Sequence, residues 1–370
     1  MRSDNIKISI LCASLGGGGA ERAMVNLACG LAGRGLAIDL VLVKAEGSFL
    51  AGVPPEVRVV DLKAQSVLAS LPGLVRYLRM ERPKVLLSAL DHVNVVAIWA
   101  RCLSRVSARV VVSVHAPLTL WLGSQKTLIG KIMPSLIRMS YPKADTVVSV
   151  SQGVHRDLIG FIGLEENKVC TIYNPIINSK LYDLGQEDIS HPWCESQQPP
   201  VLLAVGRLSL EKDYPTLIRA FQRVRQQRLV RLLILGEGGE RSKLEGLVRA
   251  LGLGDDVELP GFVRNPYPLM RKASCFVLSS TFEGFGNVLV EALAMGCPVV
   301  STDCPTGPRE ILNGGEWGRL VPVGDHEAMT AAILATLNGE ENHDSVPLGS
   351  YLLRFGIDDV VSKYLNILFP

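Results

Sequence analysis

Two cations, Arg207 and Lys212, stand five residues apart on a segment that begins Gly206-Arg207-Leu208 directly after an aliphatic run. Guanidinium and ammonium groups at that spacing, at the carboxyl end of a buried strand, are placed to clamp a diphosphate. Further on, Glu283-Gly284-Phe285-Gly286-Asn287-Val288-Leu289-Val290-Glu291 sets two carboxylates eight residues apart around a glycine turn. The glycines strip side chains from the turn, and Asn287 can cap a helix that starts under Val288. The first amides of that helix would face an anion. Glu283 then sits in the turn and Glu291 about one turn into the helix, so they meet different parts of one ligand and need not share a proton. Near the start, Gly16 to Gly19 precede Ala20-Glu21-Arg22, a loop in which backbone amides can approach a phosphate. A dinucleotide fingerprint would want its third glycine at position 21, which is Glu21. His115 closes the run Val110 to Val114 and precedes Ala116-Pro117. Each piece alone also has an ordinary reading, as a tight turn, a solvated charge, a helix-dipole partner or a satisfied core histidine.

These residues need a scaffold, and the sequence supplies an alternating one. Continuous aliphatic runs predict strands at Lys7–Ala13, Ile38–Lys44, Val57–Asp61, Val85–Ser88, Val110–His115 and Thr146–Ser151, with helices such as Gly19–Ala32 and Pro72–Glu81 between them. Turn-forming residues accumulate from Tyr173 to Pro200, and then the pattern restarts. Further strands are expected at Val201–Gly206, Arg231–Gly236, Val257–Leu259, Cys275–Leu278 and Pro298–Ser301. Buried strands separated by helices are the mark of a parallel sheet covered on both faces. The expected architecture is therefore α/β, with two doubly wound Rossmann-like domains facing across a cleft, residues 1–178 and 179–355. An amphipathic segment from Asp358 to Leu368 lies in a final piece, 356–370, expected to pack back toward the first domain.

Composition narrows the function classes. The chain has 370 residues, 48% apolar and 20% charged, with a net charge of +2, which argues against disorder and against a dedicated nucleic-acid binder. The longest greasy stretch, Val85 to Ala100, is broken by Asp91, His92 and Asn94 and falls short of the about 18 uninterrupted apolar residues of a membrane span. Ile8–Ala13 is too short for a signal peptide and leads into glycines, so a cytoplasmic location is expected. Eight scattered cysteines without a close pair fit neither a metal ribbon nor a disulfide framework. The net charge hides an asymmetry. Residues 1–180 carry 21 basic and 12 acidic side chains, or +9, and residues 181–370 carry 17 and 24, or −7.

Taken together, the motifs resemble the retaining, nucleotide-sugar-dependent glycosyltransferases of family four, which have the GT-B fold. The matching features run in the family's order through Gly18–Arg22, Ser113–His115, Gly206–Lys212, Gly236–Gly238, Pro260–Phe262 and Glu283–Glu291. The resemblance implies that Gly17, Gly18, Arg207 and Lys212 hold the diphosphate of a donor such as a UDP-sugar. It implies that Glu283 binds donor-sugar hydroxyls, Glu291 the ribose, and the backbone of Phe285, Gly286, Asn287 and Val288 the phosphates and sugar. Glu237 would also line the donor site, the base would lie near Val263, and His115 would contact a donor-sugar hydroxyl or the reacting face. Two cations and a helix terminus can neutralise the leaving diphosphate, so neither a divalent metal nor a cofactor is expected, and no D-x-D motif is present. The bond would break through an oxocarbenium-like state, with the acceptor entering on the leaving-group face.

The basic half is expected to meet the acceptor. Lys126, Lys131, Arg138 and Lys143 flank Leu128, Ile129, Ile132, Met133, Leu136 and Ile137, which is membrane-surface-like if helical, though Pro134 argues against a long helix. Arg76, Arg79, Arg82 and Lys84, with Arg101, Arg105 and Arg109, point the same way, to peripheral attachment at an anionic cytoplasmic membrane face. The segment Ser301 to Leu312 resembles the subgroup that extends polyprenyl-diphosphate-linked glycans for cell-surface polysaccharide or N-glycan assembly. Asn94, in the break of the greasy run, is a candidate acceptor contact. The competing readings are another GT-B enzyme, such as a nucleotide-sugar epimerase or a phosphorylase, a soluble small-molecule glycosyltransferase, and a dinucleotide oxidoreductase. The absent third glycine and the charged clamp count against the last.

Overall fold

The computed structural model describes residues 6–120, 128–188, 191–195, 197–340 and 348–370. The chain divides into two compact units, Met1–Ile176 with Arg354–Pro370, and Ile177–Leu353.

The first unit is built on seven parallel strands in the order β3-β2-β1-β4-β5-β6-β7. They are β1 (Lys7–Cys12), β2 (Ala37–Leu42), β3 (Val57–Asp61), β4 (Val85–Ala89), β5 (Arg109–Val114), β6 (Thr146–Ser149) and β7 (Val169–Thr171). Helices α1 (Gly19–Gly33), α2 (Leu71–Glu81), α3 (Asp91–Ser104), α4 (Leu128–Ser140) and α5 (Gln152–Ile162) connect them. Ile8, Ile10, Leu86, Leu87 and Val110 to Val112 are wholly buried, as a sheet covered on both faces requires. β3 is one of the two edge strands, and its exposed residues include Arg58 and Asp61. Arg58 Nε donates to Asp39 Oδ1 at 2.8 Å and the Tyr77 hydroxyl donates to Asp39 Oδ2 at 2.5 Å. Burial works to raise the pKa of Asp39, but these partners outweigh it and hold the carboxyl below its ordinary range.

The second unit has six parallel strands in the order β10-β9-β8-β11-β12-β13. These are β8 (Val201–Val205), β9 (Arg231–Leu235), β10 (Val257–Gly261), β11 (Cys275–Leu278), β12 (Val299–Thr302) and β13 (Arg319–Val321). Its helices are α6 (Ser179–Gly185), α7 (Tyr214–Gln227), α8 (Arg241–Ala250), α9 (Tyr267–Lys272), α10 (Asn287–Ala294), α11 (Pro308–Ile311), α12 (His326–Leu337) and α13 (Leu348–Leu352). In each sheet the chain reverses its winding direction once, between β1 and β4 and between β8 and β11. The loops leaving those strands at their carboxyl ends diverge, which is where doubly wound sheets hold ligands.

The predicted strands lie within two residues of the observed ones. β7 and β13 escape the sequence pattern because each is only three residues long. The turn-rich stretch after Tyr173 contains α6, whose first turn is capped by the Asn178 side chain accepting from Leu181 N at 2.8 Å. The last helix, α14 (Ile357–Leu368), belongs to the first unit and packs on α1. Val360, Val361, Tyr364 and Leu368 are buried there, and Arg109 Nε donates to Ile367 O at 2.9 Å. All eight cysteines are free thiols, and Cys102 is exposed, unlike the buried four at 12, 275, 297 and 304.

At Gly30 the helix α1 packs tightly against α14. A Cβ there would lie 2.6 Å from methyl groups of Ile357 and Val361, whereas one at Gly33 would meet nothing within 4 Å. Helix propensity alone favours alanine over glycine by about 1 kcal/mol at a helical position. We therefore predict that Gly33→Ala leaves stability unchanged or raises it, while Gly30→Ala lowers it by about 1–2 kcal/mol through overpacking. Urea unfolding followed by circular dichroism would measure both.

Candidate active site

At the carboxyl edge of the second sheet, the loop after β8 runs through Arg207 to a short 3-10 turn, Leu210–Lys212. The loop after β11 runs from Ser279 to Gly286. Parallel pairing of β8 with β11 brings the two side by side, and hydrogen bonds stitch them together. Ser279 Oγ donates to Lys212 O at 2.7 Å, and Thr281 N donates to Glu211 O at 2.8 Å. The Lys212 ammonium lies 2.5 Å from Glu283 Oε1, and the same oxygen accepts from Ser280 Oγ at 2.7 Å. These two side chains are only 16% and 12% exposed, so the pair is largely shielded from water. Burial, with Glu283 and Glu211 nearby, drives the Tyr214 hydroxyl pKa upward, so it stays protonated. Arg207 is exposed.

Glu283 leads into α10. The helix is capped by Gly286, whose φ of 98° is a left-handed conformation that suits glycine. Asn287, expected as the cap, is instead the first helical residue, because the chain must pass through that left-handed turn one residue earlier. Phe285 is buried, and Glu291 is 5% exposed in the second turn. Asn287 and Val288 are half-buried. Glu237, after β9, is exposed and held by Arg241 at 2.8 and 2.9 Å. Val263, after β10, is half-buried beside Phe262, which is 59% exposed.

In the first unit, Gly17 and Gly18 lie between β1 and α1, and Gly18 O accepts from Arg22 N at 3.1 Å. His115 follows β5, with its Nε2 3.0 Å from Ser113 Oγ. Burial pushes its imidazole down to about 4, so the ring is neutral at physiological pH. Asn94, the candidate acceptor contact, lies in the first turn of α3. It is fully buried and committed to the protein, accepting from Ser88 Oγ at 2.8 Å and donating to Ser113 O at 2.9 Å and to the Tyr141 hydroxyl at 3.0 Å. The residue that the sequence reading passed over is Asp91, at the carboxyl end of β4. It is 7% exposed, accepts from Tyr141 at 2.8 Å, and is pushed up to about 6 by burial. Its signal was the same polar break in the greasy run.

On α4, Lys131 and Arg138 are exposed, as are Ile132 and Met139, while Met133 and Ile137 are buried. Arg138 Nε donates to Phe161 O at 3.1 Å and its guanidinium lies 4.5 Å from the Phe161 ring centre, so this cation is partly tied to α5. Lys126 lies outside the described residues. Among those residues no three His, Cys, Asp or Glu side chains converge as metal ligands. No described helix is long and apolar enough to cross a membrane.

Two family models match the chain. Residues 17–179 match Glycosyltransferase Family 4, and residues 199–339 match Glycosyl transferases group 1. The N-acetylgalactosamine-N,N'-diacetylbacillosaminyl-diphospho-undecaprenol 4-alpha-N-acetylgalactosaminyltransferase of Campylobacter jejuni is 31% identical over 347 residues, covering 90% of this chain and 91% of its own. This chain belongs to the family-four glycosyltransferases. A second Campylobacter jejuni relative, an alpha-1,4-N-acetyl-D-galactosaminyltransferase named for a PP-undecaprenol glycan, is 27% identical and covers 90% of both chains. The crystal structure of Anabaena HepE in complex with UDP superposes with a TM-score of 0.79 over 98% of this chain and 99% of its own, at 22% identity. The fold is GT-B, with two Rossmann-like domains.

In this glycosyltransferase two buried groups respond to acid in opposite senses. His115 has a folded pKa of about 4 against 6.5 when free, so the unfolded chain binds the extra proton between those values. Stability is therefore lost as pH falls from 6.5 to 4. Asp91, at about 6 against 3.8, binds its proton earlier in the folded state, so acidification from 6 to 4 adds stability. We predict that Asp91→Asn removes the gain and steepens the acid loss, measured by urea unfolding at stepped pH. Imidazole NMR should show His115 unprotonated down to about pH 5.

Proposed function

We propose that this glycosyltransferase is a retaining enzyme that moves an N-acetylhexosamine or hexose from a UDP-sugar to a polyprenyl-diphosphate-linked or lipopolysaccharide-type glycan. The observation that carries the reading is the Lys212–Glu283 pair at the winding switch of the second sheet, with Arg207 on the same loop and the start of α10 beside it. Arg207, Lys212 and the first amides of α10 would neutralise the diphosphate as it departs, without a divalent ion. Glu283 would accept from donor-sugar hydroxyls, Glu291 would meet the ribose, and the segment at Val263 the base. A Glu283 carboxylate already accepting from Lys212 and Ser280 is poorly placed as a nucleophile. The acceptor hydroxyl therefore arrives on the face that UDP leaves. Its oxygen bonds to the anomeric carbon as the bond to the β-phosphate oxygen breaks, and its proton passes to the departing phosphate. His115, neutral, would hydrogen-bond a sugar hydroxyl without adding charge near the oxocarbenium-like centre.

The names of the two Campylobacter jejuni relatives support a diphospho-undecaprenol-linked acceptor and an N-acetylhexosamine, and UDP bound to HepE supports the nucleotide. Such an acceptor is lipid-borne, and the exposed Lys131, Ile132 and Met139 on α4 support peripheral attachment to an anionic cytoplasmic membrane face.

Glu283→Ala and Lys212→Ala should each lower transfer at least about a hundredfold while circular dichroism stays that of wild type. Wild-type turnover in either would overturn the site. Turnover should persist in EDTA, and NMR of the first product formed should show the donor's anomeric configuration. Lys131→Glu should weaken binding to phosphatidylglycerol vesicles, most at low salt, with UDP affinity unchanged.

A further inference from the structure

The segment after β12, Asp303 to Pro308, lies beneath the loop that carries Glu283. Thr306 has a φ of 68° there, a left-handed conformation that a β-branched residue rarely adopts and that costs on the order of 1–3 kcal/mol. Its neighbour Gly307 approaches the other loop so closely that a Cβ would fall 1.8 Å from Phe285 O. The Thr306 hydroxyl donates to the main-chain carbonyl of Glu283, and Glu283 N reaches Pro305 O at 3.4 Å. Glu283 is thereby held at both ends, its backbone by this segment and its carboxylate by Lys212 and Ser280. Glycine would take the same φ without strain, so what threonine adds is the hydroxyl.

We propose that Thr306 is a positioning residue for sugar transfer, its hydroxyl fixing the Glu283 peptide so that the carboxylate meets the donor sugar. The inference rests on the reading that Glu283 holds that sugar. Cys304, buried in the same segment, is kept a neutral thiol by burial and by the nearby Glu283 carboxylate. The pair therefore gains no further charge from this side.

The test compares Thr306→Val, Thr306→Ser and Thr306→Gly, with turnover measured on the UDP-sugar that the wild-type enzyme accepts and binding measured with UDP. Thr306→Val should lose about tenfold to a hundredfold in kcat, as small misplacements of catalytic groups do, while UDP binds within about twofold of wild type. Thr306→Ser should regain most of that turnover. Thr306→Gly, relieved of strain, should be at least as stable as wild type yet as slow as the valine variant. Wild-type kcat in the valine or glycine variant overturns the proposal, as does a loss of UDP affinity parallel to kcat. If the valine variant does not fold, the glycine and serine variants decide. Wild-type turnover in Glu283→Ala would overturn the site reading itself. An inactive Glu283→Ala beside a fully active Thr306→Val would overturn only the role of Thr306.

Discussion

The parallel pairing of β8 with β11, Cys275 beside Leu202 and Phe276 beside Leu203, is the constraint on which the donor-side chemistry depends. The two strands point the same way, so both release their following loops at the same edge. They are neighbours in space but far apart in sequence, so the crossovers leave in opposite directions and the loops are not crowded by one connection. Lys212 and Glu283, 71 residues apart in the chain, meet only because of this pairing. Ser279 and Thr281 bond the backbone of the neighbouring loop, and Ser280 donates to the Glu283 carboxylate within its own loop, which fixes the pair before any ligand arrives. A pre-set arrangement of charge is what makes electrostatic stabilisation effective, because nothing has to reorganise as the leaving group develops its charge.

The first unit uses the same geometry with different content. Its carboxyl edge carries a neutral imidazole and a buried acid where the second unit carries an ion pair. Asn94 and Tyr141 link the elements around that edge: Asn94 joins β4, β5 and α3 through Ser88 and Ser113, and Tyr141 bridges Asn94 and Asp91. A buried polar network of this kind must be satisfied throughout, and Asn94 meets that demand with three partners of the protein itself. The backbone of Leu90, at φ 75°, takes up the bend that turns β4 into α3.

The basic surplus of the first half divides once contacts are known. Arg79 donates to Leu103 O and Ser104 O at the end of α3, Arg101 to Lys143 O, Arg109 to Ile367 O and Arg138 to Phe161 O. These guanidiniums satisfy carbonyls at helix ends and turns, a structural use of positive charge. Among the described residues, Arg76, Arg82, Lys84, Arg105, Lys131 and Lys143 are also exposed and can act on a partner's field. A hydrogen bond to a neutral carbonyl leaves the guanidinium charge in place, so the first group fixes the fold while still contributing to the field of this half.

The sequence by itself determined the type and place of the longer strands and the motifs, since aliphatic periodicity and glycine turns are local properties. Residues as near in sequence as Gly206 and Lys212, or Glu283 and Glu291, were legible because a loop places its own members. It could not decide which polar residue in the break after Val85–Ala89 was structural, since Asp91, His92 and Asn94 differ only in what surrounds them. Nor could it show that Gly286, not Asn287, caps α10, because both residue types are common at helix starts and the choice rests on the backbone path of the loop after β11. The short strands β7 and β13 form because a neighbouring strand is already in place, a partner too distant for any local pattern to reveal. Chemistry carried by one loop is written in the chain. Chemistry that needs two loops to meet, as Lys212 and Glu283 do, is decided by strand pairing alone.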